Sequence, residues 1–162
     1  MKTTAVRAYV GLGANLGDAR AQVSAALEAL AACDGLQLAG RSSLYRSAPV
    51  DAGGPDYVNA VAALDSRLSP LALLHTLQAL EARFGRERPY PNAPRTLDLD
   101  LLLYGDTHLA TPELTLPHPR LHLRAFVLQP LAELVPDLVL PGHGPVQNLL
   151  PTVAEQAIER LP

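Results

Sequence analysis

Hydrophobic residues alternate with small or polar residues in three segments of the chain, a pattern typical of β-strands with one buried face. These segments are 6–12, 36–47 and 57–66. In the third segment, a predicted core face runs from Val58 to Leu64 in steps of two residues. Tyr57 and Asn59 share the opposite face, where a ring and an amide side by side would suit a flat heterocycle. Structural packing explains the tyrosine equally well.

Two further segments, 18–33 and 69–85, carry apolar residues at helical spacing. Asp18 is placed to cap the first helix, and Asp34-Gly35 is expected to end it. Ser69 is placed to cap the second helix, and a glycine follows its last apolar residue. The predicted buried stripe of the second helix is Leu73, Leu77, Leu80 and Phe84.

Residues 94–105, PRTLDLDLLLYG, also predict a strand, yet two aspartates lie among the leucines. Asp98 and Asp100 point to the same face, with carboxylates about 7 Å apart along the strand. Like charges at this spacing repel and raise at least one pKa unless a cation holds them. Strict alternation gives one face Thr96, Asp98, Asp100, Leu102 and Tyr104, and the other Leu97, Leu99, Leu101 and Leu103.

The predicted elements follow the order β-α-β-β-α-β, which is the ferredoxin-like arrangement. We therefore expect an α+β fold with a ferredoxin-like βαββαβ core, an antiparallel sheet and helices packed on it. Twelve of the fifteen prolines lie at or after residue 89, so a C-terminal extension of short strands and helices is expected. Residues 152–161 predict a short amphipathic helix at its end. The 162 residues are expected to form a single domain.

Composition narrows the classes of function. Hydrophobic residues make up 48% of the chain and charged residues 18%, as in globular proteins. A net charge of −3 and 4% aromatic residues argue against a nucleic-acid partner. The N-terminus lacks a signal-peptide pattern and no apolar run reaches the roughly 20 residues of a membrane span, so we expect a cytoplasmic protein with no membrane partner. The single cysteine, Cys33, predicts a small buried thiol.

The glycine-rich stretch 11–17, GLGANLG, has the spacing GxGxxxG and not the dinucleotide-binding GxGxxG. A tight turn with close backbone approach is the favoured interpretation, and such a turn can help to line a ligand site.

The aspartate pair has two interpretations. In the first, the strand lies at the edge of the sheet and its acidic face is simply solvated, with no functional role. In the second, the two carboxylates bind Mg²⁺, which takes few protein oxygens, shares the phosphates of a substrate and removes the repulsion between the carboxylates. Arginines favour the second interpretation because guanidinium groups and metal ions together neutralise polyphosphate oxygens. They lie on both sides of the acidic strand: Arg86, Arg88 and Arg95 before it, and Arg120 and Arg124 after it, beside His118 and His122.

Five stretches resemble, in order, the blocks of the 6-hydroxymethyl-7,8-dihydropterin pyrophosphokinase family. They are YVGLGANLGD, SSLYRSAPV, PDYVNAV, PRTLDLDLLLYG and LPHPRLHLRAFVLQPLAELVPDL. The resemblance covers about residues 8 to 140, and the last two stretches are its most specific part. It implies transfer of a pyrophosphoryl group from ATP to the pterin hydroxymethyl group in folate biosynthesis, giving AMP.

The resemblance also implies roles for individual residues. Asp98 and Asp100 would bind two Mg²⁺ ions and act in catalysis with Arg86 and Arg95. ATP, the co-substrate, would contact Gln78, Glu81, Arg86, Arg95, Leu101, Thr115, His118 and Arg124. The pterin would lie between Tyr57 and Phe126, with hydrogen bonds from Asn59 and from backbone groups of Ser47 and Val50.

Fold alone does not set function, so a ferredoxin-like module that binds a small molecule without catalysis is the alternative. Such a binder would not consume ATP and would tolerate the loss of one aspartate. We expect the protein to be a monomer or a weak homodimer, with ATP and the pterin as its other binding partners.

Overall fold

The computed structural model of the protein describes residues 4–15, 18–48, 56–84 and 97–162. The strands in these ranges are β1 (Val6–Ala14), β2 (Leu36–Arg41), β3 (Tyr45–Ser47), β4 (Tyr57–Ser66), β5 (Asp98–Tyr104), β6 (Leu109–Ala110), β7 (Thr115–Leu116), β8 (Val139–Leu140), β9 (Gly144–Pro145) and β10 (Ile158–Arg160). The α-helices are α1 (Ala19–Ala31), α2 (Pro70–Phe84), α3 (Ala125–Leu134) and α4 (Val146–Leu149). Two 3-10 helices span Leu121–Leu123 and Leu150–Val153.

A central antiparallel sheet organises the fold. Its strands run in the order β10-β3-β4-β1-β5, and β2 pairs with the second half of β4. Every pairing in this sheet is antiparallel. The α+β class and the ferredoxin-like core predicted from the sequence are confirmed, with the C-terminal strand β10 added at one edge.

The helices α1 and α2 pack on one face of the sheet, as their apolar stripes predict. The Asp18 side chain accepts a hydrogen bond from the N–H of Ala21, and the Ser69 hydroxyl accepts one from the N–H of Ala72, both at 3.1 Å. Both predicted N-caps are therefore confirmed. Cys33, partly buried against this core, donates its thiol hydrogen to the carbonyl of Ala29.

The predicted strand 36–47 is interrupted, which corrects the sequence-based expectation. Residues 42–44 leave the strand, and the Ser42 hydroxyl takes over as acceptor for the N–H of Val61 at 2.9 Å. The next N–H, from Ser43, donates to the carboxylate of Glu133 at 3.0 Å. Side chains distant in sequence thus pair with backbone groups that a continuous strand ladder would pair. The strand can therefore be interrupted without leaving these backbone groups unpaired.

The C-terminal third covers the other face of the sheet, where α3 and α4 pack on a second apolar cluster. The predicted helix over 152–161 is wrong. Residues up to Val153 form a 3-10 helix, and Ile158–Arg160 form β10, paired with β3. The exposed ladder of β3 offers backbone partners to this segment, and edge pairing overrides its helical pattern.

The strict alternation predicted for the acidic strand also fails at its end. Tyr9 of β1 pairs with Leu103 but Val10 pairs with Leu101, so Leu102 is an extra residue in the ladder. The bulge turns Leu103 to the α3 face together with Leu102, and returns Tyr104 to the α1–α2 face. Before the bulge the prediction holds: Leu97, Leu99 and Leu101 lie in the α1–α2 core.

Candidate active site

A cavity of about 350 Å³ opens on the α3 face of the sheet, where β4, β1 and β5 meet the start of α3. Its walls carry two carboxylates, a guanidinium, a buried amide and two aromatic rings. The residues that line it are Gly11, Leu12, Gly13, Ser47, Ala48, Tyr57, Asn59, Ala60, Asp98, Asp100, Arg124, Phe126 and Val127.

Two glycines form the floor of this cavity within β1. Gly13 pairs with Asn59 on one side and with Asp98 on the other, and Gly11 pairs with Asp100. Both glycines therefore lie in a strand and line the cavity, so the tight turn predicted over 11–17 does not begin at them. Gly17, the last glycine of that stretch, lies outside the described residues. Strand residues of one rung point to the same face, so missing side chains here keep the space between the flanking residues open.

Asp98 and Asp100 face the cavity and are half-buried. The strand that carries them is held from its outer side by α2: the N–H of Leu99, between the two aspartates, donates to the carboxylate of Glu81 at 2.9 Å. Because β5 is an edge of the described sheet, this hydrogen bond satisfies a backbone donor that no strand pairs. The side chain of Glu81 thus supports the acidic strand by binding the backbone N–H of Leu99.

Asn59 is almost fully buried, with 4% of its surface exposed, at the opposite side of Gly13. Its side-chain oxygen accepts a hydrogen bond of 2.6 Å from the Ser47 hydroxyl. Amide groups in such positions pair with ligands through both a donor and an acceptor. The arrangement can therefore recognise the hydrogen-bonding edge of a small heterocycle.

Aromatic rings flank this amide from two elements. Tyr57 is at the start of β4, two residues from Asn59 on the same face, and Phe126 is in the first turn of α3. The guanidinium carbon of Arg124 lies 5.3 Å from the centre of the Phe126 ring, a cation–π contact. A flat ring that enters the cavity therefore meets one aromatic side chain from the sheet and one from the helix.

His118 lies beside the cavity, where its backbone N–H donates to the carbonyl of Leu102 at 2.9 Å. Burial lowers the pKa of His118, and the positive charges of Arg124 and Arg120 lower it further, while Asp100 acts in the opposite direction. The ring is thus held within electrostatic reach of the acidic pair and of Arg124. Its Nδ1 accepts a hydrogen bond from the N–H of Arg120 at 3.1 Å.

The remaining predicted nucleotide contacts do not line the cavity. Gln78 is exposed on α2, and Leu101 is buried in the core between the sheet and the helices, with 3% of its surface exposed. Thr115 is exposed on β7. These three positions stay predictions, and those for Val50, Arg86 and Arg95 lie outside the described residues.

Sequence reasoning did not single out Ala48, Ala60 or Val127 as cavity residues. Small and aliphatic side chains carry no chemical signal of a site, and only the pairing of the strands and the packing of α3 on the sheet bring these residues to the cavity wall. Across the described ranges, no three histidine, cysteine, aspartate or glutamate side chains cluster as a metal site built of protein ligands alone. Within the same ranges, no helix has the length and apolar character to cross a bilayer.

The chain is similar to one protein family and to several named proteins of that family. A family model described as 7,8-dihydro-6-hydroxymethylpterin-pyrophosphokinase (HPPK) matches residues 9–136. A protein of Pseudomonas aeruginosa named 2-amino-4-hydroxy-6-hydroxymethyldihydropteridine pyrophosphokinase is 48% identical over 157 residues, which are 96% of this chain and 97% of that protein. A Haemophilus influenzae protein of the same name is 42% identical over 157 residues, with 96% and 98% covered.

Solved structures give the same fold. The chain of Plasmodium falciparum HPPK-DHPS solved with pterin and p-hydroxybenzoate superposes with a TM-score of 0.73 at 12% sequence identity. The match covers 99% of the present chain and 46% of that chain, so this protein spans less than half the length of the fused structure. At this identity the similarity establishes the fold.

Proposed function

The chain belongs to the 7,8-dihydro-6-hydroxymethylpterin-pyrophosphokinase family, and on this basis we propose that it is an ATP- and Mg²⁺-dependent diphosphokinase. It transfers the pyrophosphoryl group of ATP to the hydroxymethyl group of 6-hydroxymethyl-7,8-dihydropterin and releases AMP, a step of folate biosynthesis. One observation carries the proposal: a single cavity holds an acidic pair at one side and a buried amide between aromatic rings at the other.

The acidic pair fits Mg²⁺. Asp98 and Asp100 both face the cavity, and magnesium takes few protein ligands because substrate phosphates and water complete its shell. Two Mg²⁺ ions held by Asp98 and Asp100 would supply positive charge that neutralises phosphate oxygens and lowers the pKa of a nearby hydroxyl. Glu81 keeps the two aspartates in register by its hydrogen bond to the strand between them.

The positive groups around the pair suit a triphosphate. Arg124 lines the cavity, and His118 lies next to the acidic strand. In this proposal they hold phosphate oxygens together with Arg86 and Arg95, and the four side chains align the β-phosphorus with the attacking oxygen. Gln78, Leu101 and Thr115 complete the nucleotide contacts, Leu101 through its backbone because its side chain is in the core.

The other side of the cavity suits the pterin. Tyr57 and Phe126 would stack on the two faces of the ring, with Asn59 at its edge. Backbone groups of Ser47 and Val50 would provide further hydrogen bonds. The enzyme would work in the cytoplasm as a monomer or a weak homodimer.

Nucleotide analysis tests the proposal. The purified protein is incubated with Mg-ATP and 6-hydroxymethyl-7,8-dihydropterin, beside the variants Asp98→Asn and Asp100→Asn. We expect AMP and the pterin diphosphate in equal amounts from the wild type, and loss of most activity in each variant. Asp106→Asn, which changes an exposed aspartate in the turn after β5, is the matched control and should stay active.

The alternatives give different outcomes in this assay. Formation of ADP would show an ordinary kinase. Pterin binding without any ATP consumption, equal in the wild type and in both variants, would show a binding module and refute the enzyme.

A further inference from the structure

Gln156, in the C-terminal segment, holds the backbone on both sides of Arg124. Its side-chain oxygen accepts a hydrogen bond from the N–H of Ala125, and its side-chain nitrogen donates to the carbonyl of Leu123, each at 2.8 Å. A backbone N–H can only donate and a carbonyl can only accept, so these two partners fix the orientation of the Gln156 amide. The two hydrogen bonds therefore bracket Arg124, a residue that lines the cavity.

Arg124 is the junction between two helices. It ends the 3-10 helix Leu121–Leu123 and precedes the first residue of α3, with φ −125° and ψ 117°, an extended conformation. In an extended residue, the carbonyl before it and the N–H after it point to the same side, so one amide can reach both. A helical conformation at Arg124 would turn these two groups in opposite directions along the helix axis, and the amide could not bind both.

The hydrogen bond to Ala125 also supplies a cap for α3. The first N–H groups of an α-helix have no partner within the helix, and the residue before the helix commonly accepts one of them through a side-chain oxygen. The arginine side chain carries only donors, so Arg124 cannot act in this way. Gln156 provides the acceptor instead, while Arg124 lines the cavity.

Gln156 is itself fixed by the fold on both sides. Its N–H donates to the carbonyl of Val153 at 3.0 Å, and Val153 is buried. Two residues after Gln156, Ile158 pairs with Ser47 of β3. The amide thus connects the start of α3 to a segment that is anchored both in the second apolar cluster and at the edge of the sheet.

We propose that Gln156 is a positioning residue for nucleotide binding: it holds the backbone of Arg124 extended and so directs the guanidinium into the cavity. This inference rests on the proposed function, in which Arg124 binds phosphate oxygens of ATP. Without the amide, Arg124 must be ordered at the moment of binding, and this cost lowers the affinity for the nucleotide. Phe126 lies inside α3, which its own buried residues hold on the sheet, so pterin binding should change less.

Binding measurements test this inference with Gln156→Met, which keeps the length of the side chain and removes both hydrogen bonds. Calorimetry in Mg²⁺ gives the dissociation constant of an ATP analogue that has a methylene group between the α- and β-phosphates. The dissociation constant of 6-hydroxymethylpterin is then measured with the analogue saturating. We expect the nucleotide constant to rise about tenfold and the pterin constant to rise by less than about threefold.

Gln147→Met is the matched control. It removes a hydrogen bond from another glutamine of the C-terminal segment, which donates to the carbonyl of Pro136 at 3.3 Å. Because Gln147 is exposed on α4 and does not line the cavity, this variant should bind both ligands as the wild type does.

A double-mutant cycle shows whether Gln156 acts through Arg124. In an Arg124→Ala background, Gln156→Met should have no further effect on nucleotide affinity, because the guanidinium that the amide positions is gone. A loss of about tenfold that persists in this background would show a general structural role and overturn the inference. An equal loss of affinity for the nucleotide and for the pterin would overturn it as well.

The outcomes separate the inference from the function. A wild type that binds neither ligand overturns both. A wild type that binds both ligands, with unchanged nucleotide affinity in folded Gln156→Met, overturns the role of Gln156 alone.

Gln156→Asn decides the matter if thermal unfolding shows that Gln156→Met is not folded. The asparagine keeps the amide but is one methylene group shorter, so it cannot reach both backbone groups. The same selective loss of nucleotide affinity is therefore expected. Wild-type nucleotide affinity in folded Gln156→Asn would overturn the inference.

Discussion

Asn59 and Asp98 lie on one rung of the sheet, separated by a single residue, Gly13 of β1, which pairs with both. Neighbouring strands are about 4.8 Å apart, so the backbones of the two residues are roughly 10 Å apart. The amide and the carboxylate are thus held at a set distance by paired strands and not by loops. A rigid sheet suits the proposed reaction, because transfer requires one substrate to be aligned with the other.

Gly13→Ala should weaken pterin binding. The added methyl group would come within 3.1 Å of Nδ2 of Asn59, whose amide is already held by Ser47 and cannot move without losing a buried hydrogen bond. We expect the pterin dissociation constant to rise on the order of tenfold. Fluorescence titration measures it.

The matched control for this change is Gly40→Ala, another strand glycine. A Cβ there meets Leu134 at 3.7 Å, an ordinary contact, and lies away from the cavity. Equal pterin affinity in Gly13→Ala and the wild type would contradict the expected crowding of Asn59.

Glu81→Ala should raise the Mg²⁺ concentration needed for half-maximal activity by several-fold. Without the carboxylate, the N–H of Leu99 loses its acceptor, and the strand between Asp98 and Asp100 is less constrained. The change should also cost about 1 kcal/mol of unfolding free energy. Magnesium titration of AMP formation and urea unfolding provide the two measurements.

Two variants complete this test. Glu81→Gln keeps an acceptor oxygen and should lie closer to the wild type than Glu81→Ala does. Glu28→Ala, at an exposed position of α1, serves as the control. Identical magnesium profiles in all four proteins would rule out support of the acidic strand by Glu81.

Phe126→Ala should lower pterin affinity by about 10- to 100-fold, because stacking of a base-like ring on an aromatic side chain contributes roughly 1–3 kcal/mol. The variant also removes the surface on which Arg124 rests. Leu123→Ala, three residues earlier and 56% exposed, is the control for changes near the start of α3. Titration with the pterin measures both, and an unaffected Phe126→Ala would exclude stacking at this position.

Glu133→Gln should destabilise the protein in a pH-dependent manner. Burial alone would raise the pKa of Glu133, but hydrogen bonds from Tyr45 at 2.7 Å and from Ser43 at 2.8 Å outweigh it, and the pKa is lowered. A carboxyl whose pKa is lower in the folded state stabilises the fold above its unfolded pKa. That contribution is lost as the pH falls through the folded pKa.

Urea unfolding over a pH series measures this effect. We expect a wild-type advantage of about 1–3 kcal/mol over Glu133→Gln at pH 7, since charged hydrogen bonds are lost. The advantage should decline below the ordinary glutamate pKa of 4.5. Glu155→Gln, at an exposed site, should show no such trend. A constant difference from pH 7 to pH 3 would contradict the role of the charge.

Local patterns in the sequence were sufficient for most of the fold. The stripes and caps of α1 and α2 depend on residues three or four positions apart, and both helices form where their spacing predicts. The alternation of β4 and the direction of Asp98 and Asp100 likewise depend on neighbours two positions apart. The acidic pair and the aromatic–amide pair are therefore recognisable as candidate site residues from the order of amino acids alone.

The order of the core elements, the faces that they bury up to the bulge at Leu102 and the residue types of the site follow from these local patterns. Three other features depend on the folded chain: the break at Ser42, the bulge at Leu102 and the strand Ile158–Arg160. The position of Gly13 between Asn59 and Asp98 is a fourth. Each of these requires backbone or side-chain partners from distant segments. Cross-strand register is a property of the assembled sheet, because a donor or acceptor is satisfied by whichever segment packs beside it.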